Sequence, residues 1–196
     1  IKALHKVLFS RRGMKIAVVG DIDAATLAPL LDDVFGALPD TPLPHPVTKA
    51  APVAGPLQQV IPFDSPQTAI VFGGPGVALD DPAYYATALM FDILGGEANF
   101  ARLSTEVREK RGLTYGISMG NSGTREAPYS TGFFTTANAT AGEALKVVKD
   151  ELQRMAATGP TADELDRAKK FSNGSYPLRF SSNSAISSAL LGLQLN

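Results

Sequence analysis

The segment LSTEVREKRGLTY, Leu103 to Tyr115, carries the side chains best suited to chemistry at a regular spacing. Arg108 offers a planar fork of donors, and Tyr115, seven positions on, a phenolic hydroxyl. Phe100, Leu103 and Val107 fall at i, i+3 and i+7, a narrow apolar stripe of helical period. Glu106 and Lys110 stand four apart, where an exposed ion pair forms on a helix. Arg108 follows Val107 and so lies about 100° from it around the axis, at the border of core and solvent. Gly112 ends the helix, and Tyr115 is an early residue of the strand that follows. A side chain near a helix end and one at the start of the next strand can converge on one pocket and hold a peptide carbonyl or a carboxylate. The same spacing allows a plainer reading. Arg108 could be a solvated residue with its stem on Val107, and Tyr115 an ordinary half-buried strand aromatic. Surface arginines and strand tyrosines are common, so spacing alone favours the plainer one.

Other chemistries find no support. The only histidines are His5, near the start, and His45, in a proline-rich stretch, and there is no H-x-x-E-H or H-x-x-H. These residues therefore cannot assemble a histidine metal site or provide the base of a Ser-His-Asp triad. The absence of cysteine removes disulfides and thiolate metal sites. Gly73-Gly74-Pro75-Gly76 lacks the G-K-[ST] ending of a phosphate cradle and reads as a strand-ending turn. Asp32-Asp33 and Asp80-Asp81 are explained by solvation and by helix capping.

The elements that must position Arg108 and Tyr115 are legible in outline. Met14 to Gly20, MKIAVVG, reads as a short buried strand. Asp23 caps a helix whose stripe is Leu27, Leu30, Leu31, Val34, Phe35 and Leu38. Residues 39–56 carry six prolines, at 39, 42, 44, 46, 52 and 56, which marks an extended linker. Beyond it, Leu57 to Phe63 and Gln67 to Gly73 read as strands. Asp81-Pro82 starts a largely apolar helix that Gly95-Gly96 ends. Asn99 caps the helix carrying Arg108. Leu113 to Asn121 and Pro128 to Ala137 are β-rich around a polar turn. Thr140 with Glu143, and Thr161 with Glu164, each fit a capping box, and a last helix begins near Ser182. The first of these late helices presents Leu145, Val148, Leu152 and Met155 on one face.

This order, strands then helices twice over, predicts an α+β fold with an antiparallel or mixed sheet and helices packed on one face. The 196 residues, 44% hydrophobic and 19% charged, suit a folded globular chain, and the net charge of −1 gives no global field for nucleic acid or an anionic membrane. No apolar run reaches the roughly 18 residues of a membrane span. The chain opens on Ile1 without a signal peptide and stops in a helix without a breaker, which leads us to expect a segment of a longer protein. The expected domains are a strand–helix tail of a preceding half-domain (residues 1–38), the linker (39–56) and a second half-domain (57–196).

VREKRGLTYG resembles the R-E-K-x-G-L-x-Y segment in the second half-domain of M16 metallopeptidases, the family of pitrilysin, insulysin and mitochondrial processing peptidase. MKIAVVGDID resembles the end of that family's first half-domain, and Phe35 to Pro39 the F-G-x-L-P after its helix. FDILGGEANFARLSTEVREKRGLTYG resembles the helix–Gly–helix–strand core of the second, and TGPTADELDRAKK its later helix start. The resemblance implies a two-lobed clamshell. One lobe carries H-x-x-E-H and binds zinc. The other, to which this chain is similar, reaches across with Arg108 to bind a substrate backbone carbonyl and with Tyr115 to donate to the oxyanion. Removal of one such donor typically costs about 10²–10³ in rate. It further implies Zn²⁺ in the complete enzyme but none in these residues, a zinc-binding half-domain on the same chain or a partner, a peptide substrate, no activity of this segment alone, and a bacterial periplasmic setting. The alternative is a non-catalytic scaffold or core-type subunit that binds partner proteins. A third reading is capture of an extended peptide at a sheet edge, without cleavage.

Overall fold

A computed structural model describes every residue except 1, 3, 4, 6, 7, 42–47, 52–54, 97–99 and 196. Asn99 and His45 thus lie outside the described residues, as does part of the proline-rich stretch. The chain divides into two compact units, Ile1–Val47 with Ser172–Asn196, and Thr48–Phe171.

In the first unit the helix α1, Ala24–Phe35, starts as expected, with the Asp23 carboxylate accepting from the Thr26 N–H at 2.8 Å. The helix closes before Leu38, and none of its residues is buried. Residues 14–19 form no strand, and Ile16 and Val18 stay exposed. The buried strand expected there is therefore absent. An apolar run states that a segment would bury well, but a strand forms only where another strand completes its ladder, and no described residue does so. Residues at the other end of the chain complete this unit with a short 3₁₀ turn and the helix α5, Asn183–Leu195, capped by Ser182.

The second unit holds the core. Its sheet comprises β1 (Gln67–Pro75), β2 (Ile117–Asn121) and β3 (Tyr129–Ala137), in the order β1-β3-β2 with both pairings antiparallel. The α+β class and the antiparallel sheet are those read from the sequence. Period-2 alternation divides the faces. Ile70, Phe134 and Ile117 line up across one face, and Val71, Phe133 and Ser118 across the other. The first face is covered by the helices α2 (Tyr84–Gly95) and α3 (Ala141–Thr158), with Phe91, Ile93, Leu94, Leu103, Val107, Phe134, Val148 and Met155 in one cluster. The second face is open, with Val71 74% and Phe133 47% exposed.

Leu57 to Phe63 joins no sheet among the described residues. Leu57, Val60, Ile61 and Phe63 are all at least 75% exposed. The expected strand is absent there for the same reason as at residues 14–19. The helix α2 begins two residues later than Pro82 suggested, and Asp81 accepts instead from the Ala83 N–H in the preceding turn.

The two capping boxes part ways. Thr161 and Glu164 form theirs at the start of α4, Ala162–Ser175, with the Glu164 carboxylate on the Thr161 N–H at 2.7 Å and the Glu164 N–H on the Thr161 hydroxyl at 3.2 Å. Thr140 makes no cap bond, because its hydroxyl pairs with the Thr136 hydroxyl and reaches the Ala137 carbonyl.

Candidate functional site

Arg108 does not sit on an ordinary α-helix. Residues Ser104–Glu109 form a π-turn, and the Lys110 N–H closes on the Thr105 carbonyl five residues back, at 3.0 Å. Such wide turns insert one extra residue and often occur at functional sites. Leu103 and Val107 are fully buried beneath it, and Phe100 is partly buried, as their spacing suggested. Gly112, at φ +61°, ends the turn in the left-handed region that glycine enters without steric cost. Its N–H meets the Arg108 carbonyl at 2.9 Å, and the Leu113 N–H meets the Val107 carbonyl at 2.9 Å.

These closures limit how far the backbone of Tyr115 can lie from that of Arg108. With Gly112 bonded to Arg108, the two Cα atoms are no more than about 17 Å apart, so two long side chains can address one extended ligand. The chain between them is fastened to β3. Thr136, buried, donates to the Leu113 carbonyl at 2.6 Å. The Thr114 hydroxyl lies 2.7 Å from the Thr135 carbonyl and 2.8 Å from that of Gly116, and accepts from the Gly116 N–H at 3.2 Å.

Tyr115 stands between these anchors, in a bend ahead of β2 and not within the strand. Its side chain is 93% exposed, so it is not the half-buried strand aromatic that the plainer reading required. Arg108 is exposed too, and neither side chain makes a hydrogen bond or ion pair among the described residues. The two candidates share one fastened segment and point no bond at each other.

Around Arg108 the charges are arranged unevenly. The pair Glu106–Lys110 forms at 2.7 Å, but Glu106 is not the exposed residue that its spacing suggested, being only 13% accessible. It also accepts from Arg111 at 2.8 Å. The hydrogen bonds of Lys110, then of Arg111, hold the Glu106 carboxyl below the usual carboxylate range.

One further polar group escaped the sequence reading. Arg102, 6% exposed, clasps Glu164 through two bonds of 2.6 and 2.7 Å and also reaches the Gly159 carbonyl at 2.9 Å. It ties the residues just ahead of the π-turn to the loop between α3 and α4. A partner 62 residues away leaves no local mark; only Glu164's capping-box position hinted that its carboxylate is fixed. His5 packs on Phe9, and no group of three or more His, Cys, Asp or Glu able to hold a metal occurs among the described residues. No helix among them is long and apolar enough to cross a membrane.

An antiparallel sheet lined on one face by helices, with Arg108 and Tyr115 exposed on the connection into β2, defines an α+β unit. Residues 1–171 match the family model described as the peptidase M16 inactive domain, and the chain belongs to that family. It is 32% identical over 148 residues to a Helicobacter pylori protein named "Non-peptidase homolog YmxG", covering 71% of this chain and 33% of that one. To the "Uncharacterized zinc protease SCO5738" of Streptomyces coelicolor it is 28% identical over 193 residues, 95% of this chain and 42% of the relative. Among solved structures, the peptidase M16 inactive domain from Pseudomonas fluorescens superposes with a TM-score of 0.76 at 32% identity, covering 90% of this chain and 41% of that one. The chain thus spans less than half the length of each of these relatives.

Proposed function

We propose that this chain is the substrate-binding, transition-state-assisting lobe of an M16-type zinc metalloendopeptidase and that it acts only together with a zinc-binding half. On this reading residues 1–38 belong to the preceding half-domain, 39–56 link, and 57–196 form the Arg/Tyr half. The observation that carries it is the pair Arg108 and Tyr115, both exposed and unbonded, on a backbone segment held at Val107, Arg108, Leu113 and Thr114. Arg108 binds a backbone carbonyl of an extended peptide. The Tyr115 hydroxyl donates to the oxygen on which charge develops, and it does so best from a backbone that need not reorganise. Zinc, held by the other half, supplies the activated water.

The test uses the assembly with its zinc-binding half. Tyr115→Phe should lower kcat by about 10²-fold or more with KM little changed, since the lost bond forms only in the transition state. Unchanged turnover in that variant would remove the catalytic role.

A second reading is favoured by the name of the Helicobacter relative, a non-peptidase homologue. A scaffold would use the same lobe to hold a partner protein. In that case the purified assembly binds its partner and cleaves no peptide, and Arg108 and Tyr115 can be replaced without effect on the complex.

A further inference from the structure

We propose that Glu106 is a positioning residue of this site, gathering Lys110 and Arg111 on the wide turn so that Arg108 remains the one unpaired cation in the segment 102–111. The inference rests on the substrate-binding reading above and deepens it toward specificity.

The geometry comes from the π-turn. On an ideal α-helix, residues 106 and 111 would stand about 140° apart, on different faces. Where the turn closes at five residues, as it does between Thr105 and Lys110, residues five apart come onto one face. Glu106 accordingly reaches both neighbours, Lys110 from one carboxylate oxygen at 2.7 Å and Arg111 from the other at 2.8 Å. Arg111 also donates to the Glu106 carbonyl at 2.7 Å, which bolts the arrangement to the backbone of the turn. Arg102 is occupied by Glu164. Glu109 is adjacent to Arg108 in sequence, and neighbouring helical residues do not face each other. Of four cations within ten residues, three are held and one is presented.

The consequence is chemical. A peptide meeting this surface finds one guanidinium suited to a carbonyl, and two further cations already engaged by a carboxylate. Without that carboxylate the segment would offer three free cations and favour acidic peptides over neutral ones.

The experiment compares two peptide substrates that differ only in Asp against Asn near the scissile bond, cleaved by the assembly with its zinc-binding half. Glu106→Gln should raise the ratio of kcat/KM for the acidic over the amide peptide by about threefold or more, and should steepen its fall with added salt. The double variant Lys110→Gln, Arg111→Gln should move the ratio the other way, because the Glu106 carboxylate is then left without its cations and repels the acidic peptide. Both replaced side chains are substantially exposed, at 59% and 40%, so this variant keeps the test decisive should Glu106→Gln fold poorly. A merely structural role would lower both rates together, and ratios that stay at the starting value in both variants overturn the proposal. Arg108→Ala separates the two levels. If it leaves both peptides' kcat/KM unchanged, the substrate-binding reading itself has failed; if it lowers them while the ratios do not move in the other variants, only the role of Glu106 has.

Discussion

Replacing Glu164 by Gln should destabilise the second unit by about 3 kcal/mol at neutral pH, and the figure can be reached in two ways. The Glu164 side chain is 17% exposed and that of Arg102 6%, so the pair is largely shielded from water. The Arg102 hydrogen bond, in the first place, lowers the Glu164 carboxyl from an ordinary 4.5 to about 2, against the opposing effect of burial and with help from the Thr161 N–H and hydroxyl. A displacement of that size corresponds to about 3 kcal/mol. Independently, breaking a buried pair by removing one partner costs roughly 3–5 kcal/mol, because the remaining charge is left uncompensated. Here the stranded group would be Arg102, whose second terminal nitrogen, Nη1, already has no partner. Gln keeps the length and one acceptor, so the loss reports charge more than volume. Urea denaturation followed by circular dichroism should show a midpoint lowered by about 1–2 M with an unchanged slope, for a slope of about 2 kcal/mol/M. The pH dependence has a definite sign. The folded carboxyl titrates below the unfolded one, so its stabilisation is fully present above about pH 4.5 and fades as pH falls toward 2. Wild type and variant should therefore converge to within about 1 kcal/mol near pH 2.5. A difference below about 1 kcal/mol at pH 7, or one as large at pH 2.5 as at pH 7, would refute this account of the pair.

Two glycines give sharper steric tests. A Cβ at Gly95 would meet both the Cβ and the backbone nitrogen of Met119 at 2.8 Å. Gly95→Ala must push α2 away from β2, and should cost about 1–3 kcal/mol in urea or thermal unfolding. At Gly112 a Cβ meets nothing within 4 Å, but φ is +61°. Gly112→Ala should cost about 1 kcal/mol from backbone conformation alone, with a melting point lowered by a few degrees.

The parts of the fold that were legible are those whose determinants are local. Asp23 as a cap, the stripe of Leu103 and Val107, the box of Thr161 and Glu164 and the stop at Gly112 each depend on residues within one or two turns. The alternation in β3, with Ser130, Gly132, Phe134 and Thr136 buried, is likewise a local pattern. What was misread depended on distant partners. Met14 to Gly20 and Leu57 to Phe63 have strand composition but no ladder among the described residues. Thr140 would cap a helix were the Thr136 hydroxyl not closer to hand across the end of β3. The π-turn went unread because the apolar spacing of Leu103 and Val107, both buried beneath it, fits an ordinary helix as well as its i→i+5 closure. For the candidate site, residue types were legible and exposure was not: Glu106 is more buried and Tyr115 far more open than spacing alone implied.

That openness weighs against the plain packing account of Arg108 and Tyr115. A tyrosine placed for the benefit of its own fold buries its ring, for an aromatic side chain contributes by removing area from water. Here Val107, Leu113 and Thr114 are buried and the backbone around them is tied to β3, yet the ring that follows is 93% exposed. Fixing a backbone costs conformational entropy at every residue fixed, and Leu113 and Thr114 recover that cost through their own contacts. The Tyr115 ring recovers almost none of it within the described residues, and neither does the unpaired guanidinium of Arg108. The same arrangement lowers the cost of engaging a ligand, because the backbone carrying both groups is already ordered before anything binds. A fastened base with free polar ends suits the ligand-binding role proposed for Arg108 and Tyr115 better than a role in the stability of this unit.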